Sequence, residues 1–157
     1  MTGVQTCALP ISFPARFTMM GDKAEGAFEG VHPNAHRLGL NRPKLNMSKM
    51  TTAMRYTPDY LLESGAYEVM GFSSRGNASL KLKCEKIDAL LAWSNLMPCY
   101  LWVYDSGKPR YFVAQVRDWA EACYQHADRL FFSDNNRPYW NLSVEHFPNN
   151  PVILEVT

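Results

Sequence analysis

Hydrophobic and polar residues alternate in the middle of the chain, beginning just after Arg55. Residues 56–62 alternate, Ser64 and Gly65 supply a turn signal, and residues 66–72 alternate again. A period of two that is interrupted by a short polar turn is typical of two strands joined as a β-hairpin. The preceding residues, 13–50, are polar and interrupted by glycine and proline. They predict only short helices, near residues 23–29 and 34–38.

The second half of the chain predicts further helices and strands. Apolar residues recur near helical spacing from Leu80 to Leu96, which predicts a helix. The apolar and aromatic run from Cys99 to Asp105 is typical of a strand covered on both faces. The other predicted elements are a strand at 110–116, a helix at 118–129 and an edge strand at 138–147. Together they predict an α/β (mixed α+β) single domain, with a mixed β-sheet of about four to five strands flanked by helices.

The register of the hairpin decides whether its two acidic residues share a face. A two-residue turn at Ser64–Gly65 places Asp59 opposite Met70, and it places Asp59 and Glu68 on one polar face. A three-residue turn would separate the two acids. The apolar pattern favours the two-residue turn, because it then collects the apolar residues on the opposite face, predicted to be the core. These apolar residues are Pro58, Tyr60, Leu62, Tyr67 and Val69.

Two carboxylates held close together repel each other unless a cation joins them. Hard oxygen ligands suit Mg²⁺ or Mn²⁺, which can polarise a phosphoryl oxygen and activate a water molecule. The pair Asp59 and Glu68 therefore indicates a candidate metal site. The alternative is that both acids only solvate one face of the hairpin.

Composition and charge fit a globular protein that uses no membrane span. The 157 residues suffice for one domain, and no run of about 18 or more apolar residues occurs. The formal net charge is +1, but Lys and Arg outnumber acids between residues 16 and 55 and between residues 75 and 86. These residues either form a basic patch on the amino-terminal half of the molecule or belong to a solvated charged face.

Two features of the chain concern its origin and its compartment. Residues 1–11 resemble a translated sequencing adapter, so residues 1–12 are interpreted as an artefact of a metagenomic or draft assembly. The remaining chain then divides into a polar segment at 13–50 and a core domain at 51–157.

Beyond Cys7, three widely spaced cysteines give no zinc pattern and predict a reducing, cytoplasmic location.

Several short runs together resemble the core of the PD-(D/E)XK nuclease superfamily, which has a restriction-endonuclease-like fold. They are Tyr56-Thr-Pro-Asp-Tyr, Tyr67-Glu-Val-Met-Gly, Leu80-Lys-Leu-Lys and Tyr100-Leu-Trp-Val-Tyr-Asp. The chain looks most similar to small phage-type members and to the endonuclease subunit of heteromeric transposases. The resemblance implies a magnesium-dependent DNA endonuclease of phage or mobile-element type, which would act in the host cytoplasm if phage-encoded and as a homodimer like many relatives. It also implies that Asp59, Glu68 and the carbonyl of Val69 bind the metal.

The chain departs from the family at its lysine, because Met70 occupies that position. One interpretation is that Lys81 or Lys83 supplies the missing cation, with Lys86 as the less favoured candidate. The others are a catalytically inactive DNA-binding or complex-assembly module, and a coincidental resemblance. A lysine ammonium that reaches the Asp59–Glu68 pair would favour the enzyme. Phosphate contacts are expected from five basic residues. They are Arg55, Arg75, Lys81, Lys83 and Lys86.

Overall fold

The computed structural model describes residues 13–40, 45–76 and 78–155. The resemblance to an adapter falls on residues outside these ranges. Within them the chain forms one compact domain of mixed α and β structure, which confirms the predicted fold class. None of the helices in these ranges is long and apolar enough to cross a membrane.

The larger of two sheets has six strands in the order β1-β2-β3-β5-β6-β9. Its strands are β1 (His36–Arg37), β2 (Tyr60–Leu62), β3 (Gly65–Phe72), β5 (Cys99–Asp105), β6 (Arg110–Gln115) and β9 (Val152–Ile153). The central strands β3 and β5 are parallel, and every other neighbouring pair is antiparallel. A parallel pair requires a crossover connection, which here passes through a strand of the second sheet and a helix.

The smaller sheet has three antiparallel strands in the order β4-β8-β7. Its strands are β4 (Ser79–Lys83), β7 (Asp128–Phe131) and β8 (Pro138–Ser143). The helices are α1 (Phe13–Val31), α2 (Thr52–Arg55), α3 (Cys84–Trp93) and α4 (Val116–His126), with a 3₁₀ turn at Val144–His146.

Both faces of the large sheet are covered, so the core has two parts. On one face, Phe28 of α1 packs against Tyr60, Tyr67 and Trp102 of the sheet. On the other face, Leu101 and other strand residues pack against α3, α4 and the small sheet. Helix α1 therefore belongs to the core, although it lies in the polar segment at 13–50.

The predicted helix from Leu80 to Leu96 is wrong in its first part, which forms strand β4. Leu80 and Leu82 are buried, whereas Lys81 and Lys83 between them are exposed. This alternation has a strand period of two, and pairing with β8 satisfies the backbone of the segment. The helix begins only at Cys84 and ends at Trp93.

Other boundaries also differ from the sequence-based expectations. The strand expected at an edge, 138–147, ends at Ser143 and lies in the middle of the small sheet, because β7 pairs with its outer side. Strand β7 begins at Asp128, so it overlaps the end of the helix that the sequence predicts at 118–129. The two short helices expected at 23–29 and 34–38 are replaced by the single helix α1 and by strand β1.

Candidate active-site cleft

The hairpin places Asp59 and Glu68 on the same face, although its register differs from the expected one. Leu62 pairs with Gly65 and Tyr60 pairs with Tyr67, so the turn consists of Glu63 and Ser64. Continuing this register puts Asp59 directly opposite Glu68 rather than Met70. A shift of two residues preserves the face of every side chain, which is why the grouping survives the change of turn.

The face that carries the two acids is not the solvated surface of a hairpin. Glu68 is only 6% exposed, and Asp59 is partly buried. Glu68 is buried because β3 is a central strand of the sheet and the side chain of Lys86 from α3 contacts its carboxylate. Glu68 is therefore not a freely hydrated surface acid, in contrast to the alternative prediction for the two acids.

Backbone contacts hold Asp59 in place on three sides. Its Oδ2 atom accepts a hydrogen bond of 2.9 Å from the Val69 N–H, and its carbonyl accepts bonds from the N–H groups of Leu38 and Gly39. A β-carbon added at Gly39 would lie 3.2 Å from both Cα and Oδ1 of Asp59, so the loop after β1 packs closely over the carboxylate. The position of this acid is therefore fixed by its neighbours.

The two acids interact electrostatically. Burial raises the pKa of Asp59 well above its usual value, and the negative charge of Glu68 raises it further. The hydrogen bond from Val69 and the positive charge of Lys86 oppose this shift, whereas the charge of Glu25 in α1 adds to it. The two acids therefore repel each other when both are ionised, and Asp59 stays protonated more readily than a free carboxyl group unless a further cation lies beside the pair.

Lys86 of α3 supplies the cation that reaches this pair. Its Nζ atom lies 2.8 Å from Oε1 of Glu68, and both side chains are mostly buried. Burial lowers the pKa of Lys86, but the charge of Glu68, the hydrogen bond to it and the charge of Asp59 outweigh burial and raise that pKa. The lysine is therefore held as an ammonium ion beside the acids.

The oxygen atoms around the acids suit a hard divalent cation. In a strand, the N–H and C=O of one residue point to the same side. Because the Val69 N–H points to Asp59, the Val69 carbonyl faces the same space. Among the described residues, no cluster of three or more His, Cys, Asp or Glu side chains could hold a metal. Two carboxylates and a carbonyl nevertheless match Mg²⁺, which commonly keeps several water ligands.

A cleft of about 510 Å³ opens beside this group. Val69, Met70 and Gly71 of β3 line it together with three lysines of β4 and α3. These lysines are Lys81, Lys83 and Lys86. Lys81 and Lys83 thus face the cleft, but it is Lys86 that contacts Glu68. Asp59 and Glu68 are not among the described residues that line the cleft, and they adjoin it through Val69 and Lys86.

The two arginines that were expected to bind nucleic acid are placed elsewhere. Neither Arg55 nor Arg75 is among the described residues that line the cleft. Arg75 donates a 3.0 Å hydrogen bond from Nε to the carbonyl of Gly107, and so contacts the turn between β5 and β6. Arg55 bonds to Thr52 within α2.

A hydrogen-bonded group that the sequence did not predict lies beside the cleft. Oε1 of Glu85 accepts bonds of 2.7 Å from the Tyr56 hydroxyl and 2.9 Å from Nη1 of Arg137. The bond from Tyr56 is the main reason that the pKa of Glu85 lies below its usual value. The three residues are 29 and 52 positions apart along the chain, so only the position of Glu85 in the first turn of α3, next to Lys86, could have indicated this group.

Comparisons of the chain with protein-family models, with curated proteins and with solved structures found no match.

Proposed function

We propose that the protein is a divalent-metal-dependent endonuclease that hydrolyses DNA phosphodiester bonds. The observation that supports this most is the grouping of Asp59, Glu68 and Lys86 beside an open cleft. Two acids can hold a divalent metal at such a site, and a lysine can stabilise the charge that develops on the phosphate during hydrolysis. The sequence resemblance described above implies the same chemistry.

The metal would be held by Asp59, Glu68 and the carbonyl of Val69. Two carboxylates and one ammonium leave an excess negative charge when both acids are ionised, and this charge favours a divalent cation. A bound Mg²⁺ or Mn²⁺ would supply Lewis-acid polarisation of the phosphate and a more acidic water. Glu68 lies in β3 and Asp59 directly precedes β2, and hydrogen bonds from Val69, Leu38 and Gly39 fix the position of Asp59, so the two acids would hold the ion in a defined place.

Lys86 has two roles in this proposal. One of its three ammonium hydrogens is used by Glu68, and the others remain for a phosphate oxygen or for the attacking water. Its fixed positive charge stabilises the negative charge that develops on the phosphate. Lys81 and Lys83, which face the same cleft, hold the neighbouring phosphates by attraction that is largely independent of sequence.

A non-catalytic DNA-binding or complex-assembly module is the second candidate. Met70 favours it, because this side chain lines the cleft two residues after Glu68 and cannot carry charge. The contact between Lys86 and Glu68 favours the enzyme over this module. With either function, we place the protein in the cytoplasm, since the three cysteines in the described ranges are all unpaired.

The test is cleavage of supercoiled plasmid DNA and of a labelled single-stranded oligonucleotide by the full chain, each with Mg²⁺, with Mn²⁺ and with EDTA. Asp59→Asn and Glu68→Gln should each reduce cleavage by about 100-fold or more, as expected for loss of a metal ligand. Glu63→Gln, in the exposed hairpin turn, is the matched control and should cleave normally. The proposal is wrong if the wild-type protein does not cut with either metal, or if Asp59→Asn cuts as well as wild type.

A further inference from the structure

The small sheet presents one chemically distinct face to the cleft. Lys83 pairs with Tyr139, and Lys81 pairs with Asn141, so these four side chains lie on the same face. The opposite face carries Leu80, Leu82 and Leu142, which are fully buried in the core. The face with the lysines, the tyrosine and the asparagine is called the platform below.

Aromatic rings are part of this platform. The ring of Phe132 stacks on that of Tyr139, with centroids 4.2 Å apart. Phe132 also lines the cleft, and the ammonium of Lys81 lies 5.8 Å from the centre of the Tyr139 ring. Tyr56 lines the cleft as well, with Lys86 at 5.7 Å from its ring centre. Two lysine ammonium groups of the cleft therefore each lie close to an aromatic ring.

The connection between β7 and β8 is fixed against α3, which gives the platform a defined edge. At the two ends of this connection, the N–H of Phe132 donates a hydrogen bond to the carbonyl of Arg137. The guanidinium of Arg137 then bonds to Glu85, which also holds Tyr56. One carboxylate therefore positions both the segment that carries Phe132 and the ring of Tyr56.

The cleft lining carries two lysines, Lys81 and Lys83, in addition to Lys86, whose charge is balanced by Glu68. The described cleft lining also includes one acid, Asp134. Burial lowers the pKa of Lys83, and the nearby charge of Lys86 lowers it further, which indicates that the lysines are crowded. Crowded cations repel each other, and an anionic ligand relieves this repulsion.

The geometry points to single-stranded DNA as the ligand of this surface, with bases stacked on Phe132 and Tyr56 and phosphates on Lys81 and Lys83. This inference rests on the proposed nuclease function and specifies its substrate class. Base stacking on aromatic side chains together with a basic track is the usual way in which proteins bind single strands without reading their sequence.

Two properties of the cleft favour a single strand over a duplex. A duplex keeps its base faces stacked inside and offers only groove edges and phosphates, so aromatic rings find no partner. A cleft volume of about 510 Å³ lies within the usual range of sites that bind small molecules. An unpaired nucleotide can enter such a site and bring its phosphate beside Lys86, which lines the cleft and contacts Glu68.

The experiment is fluorescence anisotropy of the wild-type full chain in EDTA, so that binding is measured without cleavage. The probes are a labelled oligonucleotide of mixed sequence and the same strand annealed to its complement. Phe132→Ala is compared with Phe131→Ala, a matched control whose side chain is 52% exposed and is not among the residues lining the cleft. Lys83→Ala is compared with Lys108→Ala, an exposed lysine outside the cleft lining.

We expect the single strand to bind more tightly than the duplex. Phe132→Ala should weaken single-strand binding by about fivefold or more. Lys83→Ala should lower the slope of log affinity against log salt by about 0.7. Both controls should bind like wild type. Tighter binding of the duplex, no binding of either probe, or an unchanged affinity of Phe132→Ala would overturn the inference. Preferential single-strand binding without cleavage of either the plasmid or the single strand would instead contradict only the nuclease function.

Discussion

The Nζ atom of Lys86 lies 2.8 Å from Oε1 of Glu68, and this contact joins helix α3 to the central strand β3. The two residues are 18 positions apart along the chain. They meet because α3 belongs to the crossover that connects β3 to its parallel neighbour β5, so its first turn lies over the strand. A lysine from a helix can therefore stand beside an acid on a strand whose own sequence has methionine nearby.

Lys86→Met should reduce cleavage by about 100-fold or more while leaving single-strand binding within a few-fold of wild type. The reason is that its fixed charge acts on the transition state, whereas Lys81 and Lys83 supply most of the attraction for the ground state. Single-turnover cleavage rates and anisotropy on the same preparations measure the two effects.

Adding Met70→Lys to Lys86→Met tests whether an ammonium group in the cleft is sufficient for cleavage, whether it comes from strand β3 or from helix α3. Met70 follows Glu68 on the same face of β3 and lines the same cleft, so a lysine there should restore part of the lost cleavage. If Lys86→Met cuts as fast as wild type, Lys86 is not the catalytic cation. Lys81→Met and Lys83→Met, which do not remove a contact with Glu68, are the matched comparisons.

Glu85→Ala should weaken binding of single-stranded DNA by on the order of tenfold. The variant frees both Tyr56 and Arg137, which share its carboxylate oxygen. The pKa of Tyr56, which burial and this carboxylate together raise, should also fall, and ultraviolet titration of the variant measures this. Asp88→Ala, an exposed acid on the same helix, should change neither property.

Alkylation should distinguish the three cysteines of the described ranges. Burial raises the pKa of both Cys99 and Cys123 to about 12, with smaller contributions from Glu68 and Cys84 respectively. Because the thiolate is the reactive form, neither should react with iodoacetamide in the folded protein at pH 8. Cys84 is only half-buried and should react first. Peptide-resolved mass spectrometry measures this, and rapid labelling of Cys99 would contradict its placement in β5.

The buried carboxylate of Asp105 should make the fold sensitive to acid. Burial raises its pKa, but hydrogen bonds from Ser74, Arg110 and Gly107 outweigh burial and leave the pKa below its usual value. A depressed pKa contributes stability above the unfolded value of about 4, and this contribution is lost as pH falls through the folded value. Urea unfolding between pH 7 and pH 2.5 should show this loss.

Asp105→Asn is the matched variant for that titration. It leaves Arg110 without its buried carboxylate partner, so the free energy of unfolding at pH 7 should fall by roughly 3 kcal/mol. Its stability should also change less with pH on the acid side than that of wild type. An equal acid dependence in both proteins would show that other carboxylates control it.

Gly71→Ala and Gly26→Ala should have opposite effects on stability. A β-carbon at Gly71 would lie 2.6 Å from the carbonyl oxygen of Met20, so α1 must move away and the variant should lose about 1–3 kcal/mol. A β-carbon at Gly26 meets nothing within 4 Å. Because alanine stabilises a helix interior, Gly26→Ala should gain about 0.5–1 kcal/mol. Thermal or urea unfolding tests both, and a stable Gly71→Ala would contradict the close approach of α1.

Local pattern determined much of the fold around the site. Period-two alternation identified both strands of the hairpin, and the continuous apolar run from Cys99 to Asp105 identified the buried strand β5. These signals are reliable because burial of a strand face imposes its period directly on the sequence. The shared face of Asp59 and Glu68 followed from the same rule, and it holds even though the turn was placed incorrectly.

Local pattern failed where two periods were both present. Residues 80–83 alternate like a strand, but they run directly into a helix that has apolar residues at helical spacing. The strand exists because β8, more than 50 residues later, pairs with it and satisfies its backbone. The position of β8 as a middle strand likewise depends on β7 at its outer side.

The sequence by itself determined the mixed fold class, the hairpin and the common face of its two acids, because each depends on residues close together along the chain. The tertiary structure alone decided that Lys86, and not Lys81 or Lys83, touches Glu68, and that Glu85 joins Tyr56 to Arg137. These contacts depend on how a helix, a distant loop and two sheets pack. Packing brings together residues whose separation along the chain carries no periodic signal.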